Sequence, residues 1–311
     1  MHSLFDRCNR RFGVELEYNA LDNNSRSKDK NNLPVGIFSY SNSIAKKIGK
    51  SVDVNGWQYT NNNNAWVVKP DSSCGLEVCS PPMVASEAIH QLKDVVDGLN
   101  DSKFARSDGR CSFHVHVEIE DLSENQVWNL FLNWVRNELF FYLLTNNDRW
   151  LNHYCQPIGF SAIFDKHEAL TYSNMLRRLS EYKYYAINLY HYKKKRKKTM
   201  EFRIMGNNAC INSIDAVNWC KILICFVERA KDISMEKWIK SMSYANFPET
   251  ISFMDFDGFF NDKNICGWIA EKLKLAQKAD GLGVKNPVWE KIIEFSKDDI
   301  DHSINILEVQ K

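Results

Sequence analysis

The chain predicts an α+β fold: an antiparallel sheet, charged on one face and apolar on the other, backed by helices and followed by a C-terminal helical subdomain. Three observations predict it. Four separated runs alternate with a period of two, and helix-length runs with recognisable starts lie between and after them. Beyond about residue 233 the strand-like runs give way to short amphipathic helices.

Successive side chains of an extended strand point to opposite faces. In "CSFHVHVEIED", Cys111 to Asp121, the residues Phe113, Val115, Val117 and Ile119 therefore share one side, and His114, His116, Glu118 and Glu120 the other. "RRFGVELEYN" sets Val14, Leu16 and Tyr18 against Gly13, Glu15 and Glu17, and "GLEVCSPP" sets Leu76 and Val78 against Glu77 and Cys79. "TMEFRIM" sets Met200, Phe202 and Ile204 against Glu201 and Arg203. The asparagine-rich stretch Asn23 to Asn32 reads as a loop, and Asn61 to Asn64 reads as a hairpin turn between "GWQYT" and "AWVVK".

Helices are marked by their starts. Pro81 and Pro82 precede "MVASEAIHQLKDVVDGL", Ser123 and Gln126 form a capping box before "VWNLFLNWVRNELFFYLL", and Ser213 leads "IDAVNWCKILICFVERA". These runs place residues 1–232 in one main domain. Residues 233–311, with "NICGWIAEKLKLAQKA" and the Asn286–Pro287 start of "NPVWEKIIEF", form the helical subdomain, which carries no catalytic pattern. It either packs on the main body or shapes a substrate or partner site.

With 311 residues, 44% of them hydrophobic, the chain can bury a sizeable core. Its 40 Lys plus Arg against 39 Asp plus Glu leave a net charge of +1, which argues against nucleic acid or an anionic membrane as a general partner. The 9 cysteines lack paired CxxC spacing and read as reduced thiols in a cytoplasmic protein. The N-terminus has no apolar signal core, and "NLFLNWV", "ELFFYLL" and "KILICFVE" fall short of the roughly 18 residues of a membrane span.

A solvated sheet face is the plain reading of the charged side. Such a face more often carries lysine, threonine and serine, and lysine is nearly absent here. Glutamates two apart on one strand face repel, and a bound divalent cation is the simplest compensation. Carboxylates with one or two imidazoles suit Mg²⁺ or Mn²⁺ better than a structural zinc site, which favours thiolates. Arg203, two residues from Glu201, is a fork suited to phosphate or carboxylate oxygens, and metal plus arginine suggests a nucleotide. No Walker A motif is present, and "GLG" at Gly281 to Gly283 reads as a simple turn. The phosphates are therefore expected on metals and sheet side chains.

The ordered set "FGVELE", "WVVKPDSSCGLEVCSPP", "CSFHVHV", "YYAINL" and "TMEFR" resembles the amidoligases, relatives of glutamine synthetase and the glutamate–cysteine ligases, from about Phe12 to Trp219. The resemblance implies a glutamine synthetase-like catalytic domain, a curved antiparallel sheet whose concave face binds ATP and Mg²⁺ or Mn²⁺. It implies a reaction in which ATP phosphorylates a carboxylate and an amine attacks the acyl phosphate. The substrates implied are a carboxylate and an amine, a peptide or protein side chain being one form of them. Glu15 and Glu17 resemble metal ligands on the first strand, Glu77 a further ligand, and Glu201 and Arg203 the late Glu-x-Arg pair, acid on metal and guanidinium on transferring phosphate. His116 resembles the histidine near the nucleotide phosphates, and His114 is better placed for the acceptor. The catalytic set is thus Glu15, Glu201, Arg203 and His114. Asp71, in a "K-x-D-x-S" stretch, binds metal or amine, or caps its turn. Asn188 matches the family pattern and binds nucleotide or satisfies nearby backbone. Ser112 stands where the family usually has glycine.

Other features compete. "KKKRKK", Lys193 to Lys198, reads either as a solvated hairpin tip or as a landing site for an anionic substrate, with Lys193, Lys194, Lys195 and Arg196 as candidates. Arg178, beside Arg177 in "NMLRRLSEYKYY", is a nucleotide candidate or a surface arginine. Trp57, Trp66 and Trp150 stack a base or fill the core. Cys111 reads as a small buried residue more readily than as a nucleophile. A metallohydrolase using the His-x-His and carboxylate cluster, and a non-catalytic binder using the basic hairpin, are the other function classes; dependence on ATP separates the first from a ligase.

Overall fold

The period-two runs form strands. The computed structural model describes residues 5–19, 32–56, 64–101, 105–145, 149–150, 152–158, 171–193, 198–231 and 262–281. The first half of the chain supplies β1 (Arg11–Asn19), α1 (Ile37–Ile48), β2 (Val52–Val54), β3 (Trp66–Asp71), β4 (Gly75–Cys79), β5 (Met83–Val84), α2 (Ala85–Asp101) and β6 (Phe113–Glu118). The second half supplies α3 (Glu124–Leu143), α4 (Tyr172–Glu181), β7 (Ile187–Asn188), α5 (Tyr190–Lys193), β8 (Thr199–Phe202), α6 (Asn208–Ile211), α7 (Ser213–Arg229) and α8 (Lys263–Gly281). This is a mixed α+β arrangement with an open, mostly antiparallel sheet. No helix among the described residues is long and apolar enough to cross a membrane.

The chain divides into two compact units. One joins Asn9–Val117 to Met205–Lys221, and its strands run in the order β2-β3-β4-β1-β6. β1 is antiparallel to both β4 and β6, β3 is antiparallel to β4, and β2 is parallel to β3. The aliphatic side of the alternation, including Val14, Leu16, Leu76, Val78, Val115 and Val117, is buried. Each such side chain contributes about 1.5–3 kcal/mol on burial. α1 packs on β2 and β3, and α6 packs on β1. The Tyr18 hydroxyl donates to the Cys210 carbonyl, and the Tyr40 hydroxyl donates to Asn19 O at 2.8 Å.

The turn between β3 and β4 is built by its own residues. Asp71 Oδ1 accepts from Ser73 N at 2.7 Å and Cys74 N at 3.1 Å, and Gly75 takes a φ of 118°, a conformation that a side chain opposes.

The other unit joins Met1–Cys8, Glu118–Ile204 and Ile222–Lys311. α3 starts with the expected Ser123–Gln126 capping box. Its Trp134 stacks on Phe141 at 4.7 Å and meets Phe202 of β8 at 5.3 Å and Phe226 at 6.0 Å. β7 and β8 pair antiparallel, and α8 lies against α3.

Three local expectations resolve differently or fall outside the described residues. Met83 and Val84 pair with Phe12 and Arg11 as β5, and Ala85 N donates to Arg10 O at 3.1 Å, so α2 starts at Ala85 rather than directly after the prolines. Of the expected hairpin tip at Asn61–Asn64 only Asn64 is described, most of "GWQYT" lies outside the described residues, and β3 has β2 and β4 as its described neighbours. The boundary near residue 232 and "NPVWEKIIEF" also lie outside them, whereas "NICGWIAEKLKLAQKA" forms α8.

Candidate active site

In the unit built on β1, register sets the chemistry. Glu17 faces Glu77 across β4, which in turn faces Lys69 on β3; Glu15 faces Cys79 on one side and His114 on the other; Gly13 faces His116. Glu17, Glu77, His114 and His116 are only 4–7% exposed, so the charged face is covered rather than wet. His114 lies between two acids, with Nδ1 3.6 Å from Glu15 Oε2 and Nε2 3.9 Å from Glu17 Oε1. His116 Nε2 is 3.1 Å from Glu15 Oε1, and Ser112 N donates to Glu17 Oε2 at 2.7 Å.

Like charges directly opposite on a sheet destabilise it, and burial enlarges the effect. Lys69 Nζ is 2.6 Å from Glu77 Oε2. Even so, burial first and the Glu15 charge second push the Glu77 carboxyl up to about 8, outweighing the ammonium. Four acidic side chains, Glu15, Glu17, Asp71 and Glu77, share this face with one lysine, Lys69. Ligand atoms of Glu15, Glu77 and Cys79 lie within 4.8 Å of one another, as do those of Glu17, Asp71 and Cys74. Each cluster offers two carboxylates and a thiol; the oxygen donors suit a divalent cation of the Mg²⁺ or Mn²⁺ kind, whereas the thiols suit a softer ion.

Asp71 is largely engaged by its turn. Burial raises its carboxyl, but hydrogen bonds from Ser73 and Cys74 outweigh that and hold it below the usual range. Lys69, two residues earlier on β3, is the lysine that sequence reading discounted on this face. The K-x-D spacing was the available signal, since it puts both side chains on one side of a strand.

In the other unit, Glu201 forms an ion pair with Arg203 and faces Asn188 across β7. Asn188 Nδ2 donates to Glu201 Oε2 at 2.9 Å and to Lys183 O at 3.1 Å, while its Oδ1 accepts from Tyr190 N at 3.1 Å. Asn188 thus orients Glu201. β8 ends at Phe202, and Arg203 Nε donates to Tyr154 O at 3.2 Å. Arg149, which the sequence did not single out, donates to the carbonyls of Arg203 and Ile204. No motif marks it.

Arg178 is half-buried on the last turn of α4, which is tied to the Asn188 segment by Leu189 N donating to Leu179 O at 2.9 Å. Lys194, Lys195 and Arg196 lie outside the described residues, as does the Lys193 side chain. Trp66 and Trp150 are buried, Trp150 against Tyr142, and Trp57 lies outside the described residues. All 9 cysteines are free thiols, and the buried Cys111 donates to Asn19 Oδ1 at 2.9 Å.

Residues 8–226 match the family model described as "Putative amidoligase enzyme". No curated protein matches the chain. Among solved structures it is similar to a bifunctional glutathione synthetase from Pasteurella multocida, at 10% identity and a TM-score of 0.42, over 98% of this chain and 47% of that one. The chain therefore spans about half the length of that protein.

Proposed function

Because the chain belongs to the amidoligase family, enzymes of the carboxylate–amine ligase kind, we propose that it forms its amide at the expense of ATP through an acyl phosphate. In this reading residues 1–232 are a glutamine synthetase-like catalytic domain and residues 233–311 a helical appendage. The observation that supports it most is the buried carboxylate and imidazole face of β1, β4 and β6, a costly arrangement that a bound cation compensates.

Glu15, Glu17, Glu77 and His116 would hold Mg²⁺ or Mn²⁺, and Glu201 beside Arg203 would take the same role. When bound, the ion neutralises phosphate oxygens. Arg203, paired with Glu201, directs guanidinium N–H groups at phosphate oxygens as the γ-phosphoryl group passes from ATP to the substrate carboxylate and ADP leaves. Asn188 holds Glu201 in place for this. The amine then attacks the acyl carbon, phosphate leaves, and the amine's surplus proton goes to His114, whose imidazolium Glu15 and Glu17 stabilise from either side.

The test is ADP release by the full chain from ATP and Mg²⁺ across panels of carboxylates and amines, with mass spectrometry of the product. ADP release is expected only when both substrates are present, is abolished by EDTA, and is lost in a folded Glu15→Gln variant. Hydrolysis of an amide without nucleotide would instead identify a metallohydrolase and overturn the reading.

A further inference from the structure

Arg149 is 2% exposed, an unusual position for a permanent cation. Its Nε donates to Ile204 O and its Nη2 to Arg203 O, each at 2.9 Å. The two acceptors are successive carbonyls just past the end of β8. A planar fork can meet both at once, which a single ammonium cannot reproduce.

The segment that carries Arg149 is itself fixed. Arg149 O accepts from Asn152 N at 3.2 Å and from Cys155 Sγ at 3.3 Å, and Cys155 O accepts from the Tyr142 hydroxyl of α3. Ile158 N and Trp134 Nε1 both donate to the buried Glu138 Oε1, at 2.8 Å and 3.0 Å. The same segment presents Tyr154 O to the Arg203 side chain at 3.2 Å. Arg203 is thus held twice by one stretch of chain, through its backbone by Arg149 and through its guanidinium by Tyr154. Fixing the carbonyl of Arg203 fixes the peptide plane that follows its Cα, and with it the direction in which its side chain leaves the strand.

We propose that Arg149 is a positioning residue for Arg203, its buried guanidinium holding the Arg203–Ile204 backbone so that the Arg203 guanidinium stays aimed at the phosphate chain of the nucleotide. This rests on the proposed phosphate role of Arg203. Arg149 touches no phosphate itself.

Calorimetric titration of the full chain tests it, with MgATP and adenosine as probes of the unaltered protein, Arg203→Gln, Arg149→Lys, Arg149→Gln and the Arg149→Lys/Arg203→Gln double variant. Arg203→Gln and Arg149→Lys are each expected to weaken MgATP by about tenfold or more, the scale of a charge-assisted hydrogen bond. Adenosine affinity should stay unchanged, and the double variant should be no weaker than Arg203→Gln alone. A merely structural arginine would change MgATP and adenosine affinity together, or neither. If Arg203→Gln loses MgATP affinity while folded Arg149→Lys and Arg149→Gln keep it, the positioning role is wrong and the phosphate role stands. If Arg203→Gln binds MgATP as the unaltered chain does, the phosphate role fails and takes this inference with it. Loss of a cooperative melt in both Arg149 variants assigns the arginine to folding alone and likewise overturns the proposal.

Discussion

Glu77 is held by two opposing forces, the Lys69 ammonium on one side and burial with the Glu15 charge on the other, and the second set prevails. Its folded-state pKa of about 8 lies above the ordinary 4.5, so between those values the folded chain binds a proton that the unfolded chain has lost. The stability of the metal-free protein should therefore fall as pH rises from about 4.5 towards 8, by up to about 1.4 kcal/mol per pH unit from this group. Urea unfolding at a series of pH values in EDTA measures it. Glu77→Gln should flatten the slope, and an unchanged slope in that variant would assign the pH dependence elsewhere. The acids of this face were legible because each alternates with aliphatic residues. Their partners were not, because Lys69 and Ser112 meet Glu77 and Glu17 only through register across neighbouring strands. Arg149 was invisible for a related reason: its acceptors are backbone carbonyls, which leave no mark in a sequence.

At the scale of elements, the β3–β4 turn sets which residues face each other. Gly75 with its φ of 118° closes the turn that aligns Lys69 with Glu77. Gly75→Ala should cost about 1–3 kcal/mol from backbone strain. Chemical denaturation checks this; a loss under about 0.5 kcal/mol would mean that the turn relaxes freely. β1, β4, β6 and β8 were readable from period two, β3 from its aromatic and β-branched composition, and α3 from its capping box. β5 was not, since two residues cannot display a period and only their pairing with β1 defines them. Strand order was equally hidden: alternation says which way a side chain points and nothing about which strand lies beside it.

For the whole molecule, a net charge of +1 puts any electrostatic guidance into local patches. The basic run Lys193–Lys198 is the densest, and its last residue, Lys198, is exposed with Nζ 4.0 Å from Glu120. If the run guides an anionic substrate, replacing Lys194, Lys195 and Arg196 with serine should raise KM and weaken its salt dependence, leaving ATP affinity within about twofold. No change in either KM or salt dependence would mark a solvated loop.

The unit that carries β1 also has a consequence for how the chain is made. Tyr18, Asn100 and Ser107 all wait for partners near Cys210: the hydroxyl of Tyr18 for the Cys210 carbonyl, Asn100 Nδ2 for Ile211 O at 2.6 Å, and Ser107 O for Asn207 Nδ2 at 3.0 Å. Those partners are synthesised only after the whole of Glu118–Ile204 has been translated. During that interval, at about 5–20 residues per second, the early strands exist as a nascent segment with buried-type carboxylates and open polar groups. The unit that carries the carboxylate face is therefore completed only when Met205–Lys221 emerges, rather than when its own acids do.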